Sequence, residues 1–272
     1  MAGTFQVLWG AEDGSLKKAE ELQGTDGEPL ILPAGEGGGA VTGKICTRPT
    51  AVDLNGDGHL DIVSGNFRGT FFVFEGQGAG KFAPDATQLL AAGKPIQVDA
   101  HSDPFFVDWD ADGDMDLVTG SMSKVQLSIN DGSATEPVFS KLKTLVEATP
   151  GSTDLVFGEK GYEGPRSGLR VWVEDVNGDG RLDILMGDSV GLDYPADGMD
   201  EEKSLEQHAK WSERQKALSD EQAKLRESNA SEDDMDASYE AIGELYQERN
   251  KFLKTVSTGS VWVAYQKAPA GA

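Results

Sequence analysis

The sequence predicts an all-β protein built from β-propeller blades, four-stranded antiparallel repeats, with an α-helical hairpin inserted into one of them. Three observations lead there. A nine-residue acid motif occurs three times; short apolar, β-branched runs flank each copy; and one long stretch near the C-terminus has the composition and spacing of helices. The 34 glycines suit a turn-rich β protein.

The motif copies are Asp53-Leu54-Asn55-Gly56-Asp57-Gly58-His59-Leu60-Asp61, Asp108-Trp109-Asp110-Ala111-Asp112-Gly113-Asp114-Met115-Asp116 and Asp175-Val176-Asn177-Gly178-Asp179-Gly180-Arg181-Leu182-Asp183. Each sets side-chain oxygens at positions 1, 3, 5 and 9, with glycine at position 6. A hard cation such as Ca²⁺ takes six to eight oxygens, and a glycine lets one tight loop turn sharply enough to supply several of them. Four clustered oxygens repel one another without a cation, so a metal-free Asx turn explains the pattern poorly.

Strand-like segments precede each loop at Pro49–Asp53, Pro104–Asp108 and Arg170–Glu174, and follow it at Leu60–Gly65, Met115–Gly120 and Leu182–Gly187. A third strand follows at Thr70–Phe74, Lys124–Ile129 and, much later, Ser260–Tyr265. Fourth strands are expected from Lys81-Phe82 onward and over Val138–Leu142. The loops recur at a period of roughly 55 to 65 residues, within the range of propeller blades.

Gly3–Gly10 with Gly14–Leu16 aligns with Gly69–Gly76 and Gly80–Phe82, so the chain reads as starting at the third strand of a blade. Three and a half blades leave strand edges unpaired. A partial propeller is therefore expected, its remainder supplied by further sequence or by another chain. The organisation is blades over 1–194, a helical insertion over 195–256 and a returning strand with tail over 257–272. In the insertion, Met235, Tyr239, Ile242, Tyr246 and Leu253 fall at helical spacing, and Trp211, Leu218 and Leu225 step by seven. Two antiparallel helices between 200 and 254, joined near Asn229–Asp234, would face these stripes together in coiled-coil fashion.

An EF-hand opens with the same positions but needs Glu at position 12 and flanking helices. Position 12 here is Ser64, Thr119 or Met186, followed by glycine, and the flanks are strand-like. The motif instead resembles the FG-GAP (VCBS-type) repeat of integrin-like β-propellers, over about residues 1–194 and 257–267. That resemblance implies up to three Ca²⁺. The side chains of Asp53, Asn55, Asp57 and Asp61 would bind one, with the carbonyl of His59. Asp108, Asp110, Asp112 and Asp116 would bind another with the carbonyl of Asp114, and Asp175, Asn177, Asp179 and Asp183 a third with that of Arg181. It also implies an extracellular, envelope or periplasmic setting and recognition of a protein or glycan.

The formal net charge of −23 argues against nucleic acid as a partner, and no apolar run is long enough to insert in a membrane. The N-terminus lacks the basic-then-apolar start of a secretory signal, so any export signal has been removed or lies upstream. Cys46 is the only cysteine and is expected to be a small buried hydrophobe. Gly38–Lys44 mimics a phosphate loop, but Ile45 stands where Ser or Thr belongs. Three histidines, His59, His101 and His208, give little material for catalysis. Trp9, Trp109, Trp172 and Trp262 are expected between blades, and Trp211 in the helical seam. The expected function is non-enzymatic recognition, with Ca²⁺ stiffening the blades. The alternatives are a propeller-type polysaccharide lyase or hydrolase and an assembly protein docking through its helical arm.

Overall fold

The structure, a computed structural model, describes residues 3–34, 42–151, 154–228 and 230–267. Two compact units divide the chain: Met1–Thr149 with Gly164–Ser189 and Ser260–Ala272, and Pro150–Glu163 with Val190–Gly259.

The first unit is antiparallel β-sheet. A short hairpin pairs Gln6–Val7 with Glu20–Glu21. The first full sheet runs Arg48–Val52, Asp61–Gly65, Phe71–Phe74 and Thr87–Gln88 in sequence order, and the second runs Asp103–Val107, Asp116–Gly120, Lys124–Ser128 and Lys143–Glu147. In the third, the strand starting at Asp183 pairs with Ser167–Glu174 on one side and Val261–Ala264 on the other. The fourth strands lie some five residues later than the sequence suggests. Phe82 and Phe139 form only isolated bridges and turn inward as core side chains, and the ladder starts after them.

Because alternate strand residues face opposite ways, each sheet feeds two cores. Phe72 and Phe74 join Phe5, Leu22, Leu30 and Leu32 on the side of the N-terminal hairpin. Val63, Phe71 and Val73 face the other way and meet Leu117 of the second sheet. Val118, one residue on from Leu117, packs with Val125 and Leu127 against Leu169, Val173, Ile184 and Met186 of the third. The sheets are thus stacked face to face in chain order.

The glycines that close the second strands of the first two sheets sit at tight points of the stack. A Cβ on Gly65 would come within 2.6 Å of the Ser102 carbonyl carbon, and one on Gly120 within 2.9 Å of that of Leu169. For Gly187 the nearest atom is Arg170 Cβ, at 3.8 Å. The cross-strand partners tell the same story. Phe71, Val73, Val125 and Leu127 are buried, whereas the equivalent Val261 and Val263 are 71% and 39% exposed.

In the second unit, the end of the long strand Asp183–Pro195 pairs with Leu253–Thr258. This ribbon carries helices Glu201–Glu227 and Glu232–Arg249, started by Asp200 and Ser231, whose side chains accept the Lys203 and Asp234 amides. Trp211 lies in their seam, donating Nε1–H to the Leu245 carbonyl at 2.8 Å and meeting Tyr246 edge-on. Phe157, Phe252 and Leu253 form a small core with Leu155, Met199 and Trp211 packed on it. An Arg249–Asp193 ion pair at 2.7 Å, bridged by Thr255, ties helix to ribbon.

Several expectations change. Leu253 belongs to a strand, not the helical stripe, and Leu245, outside that stripe, is the residue fully buried in the seam. Cys46 is exposed in a left-handed turn. Trp109 and Trp262 pack against the core between the second and third sheets. Trp172 is 57% exposed, meeting Phe105 of the second sheet only edge-on, and Trp9 is 39% exposed. Gly38–Val41 of the phosphate-loop mimic, and Asn229 in the helix junction, lie outside the described residues.

Candidate metal centres in the three acid loops

Each loop joins the first and second strands of a sheet. At position 6, Gly58, Gly113 and Gly180 all have positive φ, a region that favours glycine. Position 4 is also left-handed, and there Ala111 replaces Gly56 and Gly178 at φ 64°. The second loop therefore holds a strained residue where the others do not.

The side chains are oriented by backbone amides in the same way three times. Asp53 accepts from the Asp57 and Gly58 amides at 3.1 and 3.0 Å, Asp108 from Asp112 and Gly113 at 3.0 Å each, and Asp175 from Asp179 and Gly180 at 3.0 and 2.8 Å. At Asp175 the bonds, led by that from the Gly180 amide, favour the charged form and lower its pKa. Position 5 accepts from position 7: His59 N–H to Asp57, Asp114 to Asp112 and Arg181 to Asp179. Asn55 and Asn177 accept from Asp57 and Asp179.

Position 9 does more than the sequence reveals. Asp61, Asp116 and Asp183 are buried, and each carboxylate joins two parts of its repeat. One oxygen accepts from loop position 2, at Leu54, Trp109 or Val176, 2.8–3.2 Å away. The other accepts from the residue leaving the third strand: Gly76 at 2.7 Å, Asn130 at 2.7 Å or Gln266 at 3.0 Å. Burial raises the pKa of Asp61 and Asp116 against these bonds. No sequence pattern announces Gly76, Asn130 or Gln266; the link is one of register and exists only once the third strand is paired.

The loops differ in what surrounds these frames. In the second, Asp108, Asp110 and Asp116 offer oxygens that all lie within 4.8 Å of one another, a grouping that could hold a metal ion. Asp114 is buried with Oδ1 unpartnered, and burial raises its pKa. In the third, the Arg181 guanidinium pairs with Asp179 and donates to the Gln266 carbonyl at 3.2 Å. In the first, His59 is exposed. An oxygen-only donor set on a turn fits a hard divalent cation. Beside that loop, an apolar cleft of about 470 Å³ is lined by Phe5, Val7, Trp9, Pro49, Ala51 and Ile62.

Among solved structures, the chain is similar to a chain of the Photorhabdus luminescens Tc holotoxin pore, at 15% identity and a TM-score of 0.38, covering 69% of this chain and 7% of that one. It is similar too to an Agrocybe aegerita lectin whose recognition of non-reducing terminal N-acetylglucosamine was solved, at 20% identity and a TM-score of 0.38. That match covers 70% of this chain and 49% of the lectin, so the chain spans less than half of either. No curated protein matches it. The FG-GAP-like repeat matches twice, over residues 53–119 and 108–186, each match running from the start of one acid loop through the whole of the next. With the sheets and loops arranged as described, the chain is an FG-GAP repeat protein.

Proposed function

We propose that the chain is a calcium-stabilised β-propeller module that recognises a protein or a glycan and carries out no chemistry of its own. The observation that supports this most is the threefold recurrence of one amide-organised oxygen frame at the same sheet turn. One Ca²⁺ per loop would be held by Asp53, Asn55, Asp57, Asp61 and the His59 carbonyl. The second loop would use Asp108, Asp110, Asp112, Asp116 and the Asp114 carbonyl, and the third Asp175, Asn177, Asp179, Asp183 and the Arg181 carbonyl. The ion supplies positive charge to carboxylates that repel one another. The chain supplies preorganisation: the amides that hold position 1 and the buried position 9 leave little to reorder on binding.

A cage without the twelfth-position Glu is weak, so millimolar Ca²⁺ outside the cell would keep it filled. The propeller reading is supported by the face-to-face stack and by the third sheet, whose Trp172, Val261 and Val263 face carries the pattern that is buried in the other two. A further sheet, from continued sequence or another chain, would cover it. The apolar cleft with Trp9 at its wall is the concavity we assign to ligand recognition.

The test is the melting temperature in Ca²⁺, in Mg²⁺ and with chelator. Calcium-specific stabilisation is expected, following ligand concentration over Kd. Equal melting in all three would sink the reading. A second role, assembly through the helical arm, is favoured by the exposed Leu205, Tyr239 and Tyr246. Deleting residues 200–254 would then abolish complex formation and leave calcium binding intact.

A further inference from the structure

We propose that the side chain of Asp114 makes the second loop the tightest of the three cation sites and the first to fill. This rests on the calcium reading above and goes beyond it, since that reading uses only the Asp114 carbonyl. Asp114 holds the position taken by exposed His59 in the first loop and by Arg181 in the third. It is 6% exposed, and its Oδ1 has no hydrogen-bond partner. The side chain lies beside Asn130 and within reach of the charges of Asp112, Asp110 and Asp108.

A buried carboxylate oxygen with no donor is costly unless positive charge compensates it. None is found in this loop, whose ionisable residues are all aspartates: Asp108, Asp110, Asp112, Asp114 and Asp116. Oxygens of Asp108, Asp110 and Asp116 already converge within 4.8 Å. The first loop has Asn55 in place of one carboxylate and a histidine in place of another. The third has Asn177, and Arg181 already neutralises its Asp179. Oxygen cages gain affinity with ligand charge, so the loops rank themselves. Asp114 acts as an added negative charge felt by Asp108, Asp110 and Asp112, drawing in the cation that these neighbouring carboxylates ligate.

The experiment is calorimetric titration of the chelator-stripped full chain with Ca²⁺, alongside Asp114→Asn, Asp57→Asn and Asp179→Asn. In the wild type a tight phase should precede weaker ones. Asp114→Asn should weaken the tight phase by about tenfold or more. Asp57→Asn and Asp179→Asn should keep it and lose a weaker phase. Melting with chelator present adds a readout that packing alone would not move. Asp114→Asn should melt higher than wild type, because a buried charge is gone, yet gain less from Ca²⁺. An unchanged tight phase in Asp114→Asn, or its loss in either other variant, overturns the ranking. Calcium binding with no ordering of phases overturns it while leaving the calcium reading standing. No heat and no melting shift in the wild type overturns both.

Discussion

Gly120 lies directly against the backbone of Leu169, so that a Cβ there would come within 2.9 Å of the Leu169 carbonyl carbon. Gly65 has the same relationship to Ser102, and neither glycine has positive φ. These residues are glycine because neighbouring sheets approach closely, not because the chain turns there. Gly120→Val and Gly65→Val should each destabilise by about 2–3 kcal/mol or more, since backbone cannot move aside as a side chain can. Gly187→Ala, whose Cβ would meet only Arg170 Cβ at an ordinary contact distance of 3.8 Å, should stay within about 0.5 kcal/mol of wild type. Urea unfolding of the three variants measures the contrast, and equal losses would refute the stacking account.

The position-9 aspartates should matter even without metal. Asp116→Ala leaves the Trp109 and Asn130 amides without their acceptor in a buried place. A loss of about 3 kcal/mol is expected in chelator. Asp110→Ala, at an exposed position of the same loop, should cost under about 1 kcal/mol under the same conditions. If the two variants unfold alike, the role of Asp116 in joining loop to third strand is wrong.

Ala111 carries a left-handed backbone that its counterparts meet with glycine. Ala111→Gly should relieve that strain and stabilise the chelated protein by up to about 1 kcal/mol. Unfolding below the wild-type midpoint would count against it.

The helical arm should weaken in mild acid. His208 stacks on Trp211 at 5.7 Å, and burial, then the nearby Arg249, lowers its pKa, with Asp193 opposing. The folded arm thus binds fewer protons than the unfolded arm around pH 6. Its stability is fully present above the unfolded value of about 6.5 and is lost as pH falls through the folded pKa. Both described α-helices belong to this arm, so ellipticity at 222 nm during urea titration reports it selectively. His208→Gln should flatten the pH dependence, and an unchanged slope would rule His208 out.

Much of this was legible because local chemistry repeats. Asp, Asn and Gly at fixed offsets set the turn, and β-branched runs on either side set the strands. The loop residues are found where the motif places them, and the helices fall within the expected 200–254. What was not legible was which apolar residue is strand and which is filler. Phe82 and Phe139 look like strand starts, yet packing takes them into the core before the fourth strands form. Nor did the sequence show that Trp172 and Val261 are left exposed, for they have the same composition as their buried counterparts.

By itself, then, the sequence determined the repeat, the oxygen frame of each loop and the helical interruption, all governed by contacts within about a dozen residues. The tertiary structure decided the rest: the second role of Asp61, Asp116 and Asp183, the closeness that demands Gly65 and Gly120, and the different surroundings of Asp114 and Arg181. Those depend on which distant backbone arrives beside a residue. Side-chain identity does not encode that until the sheets have paired and stacked.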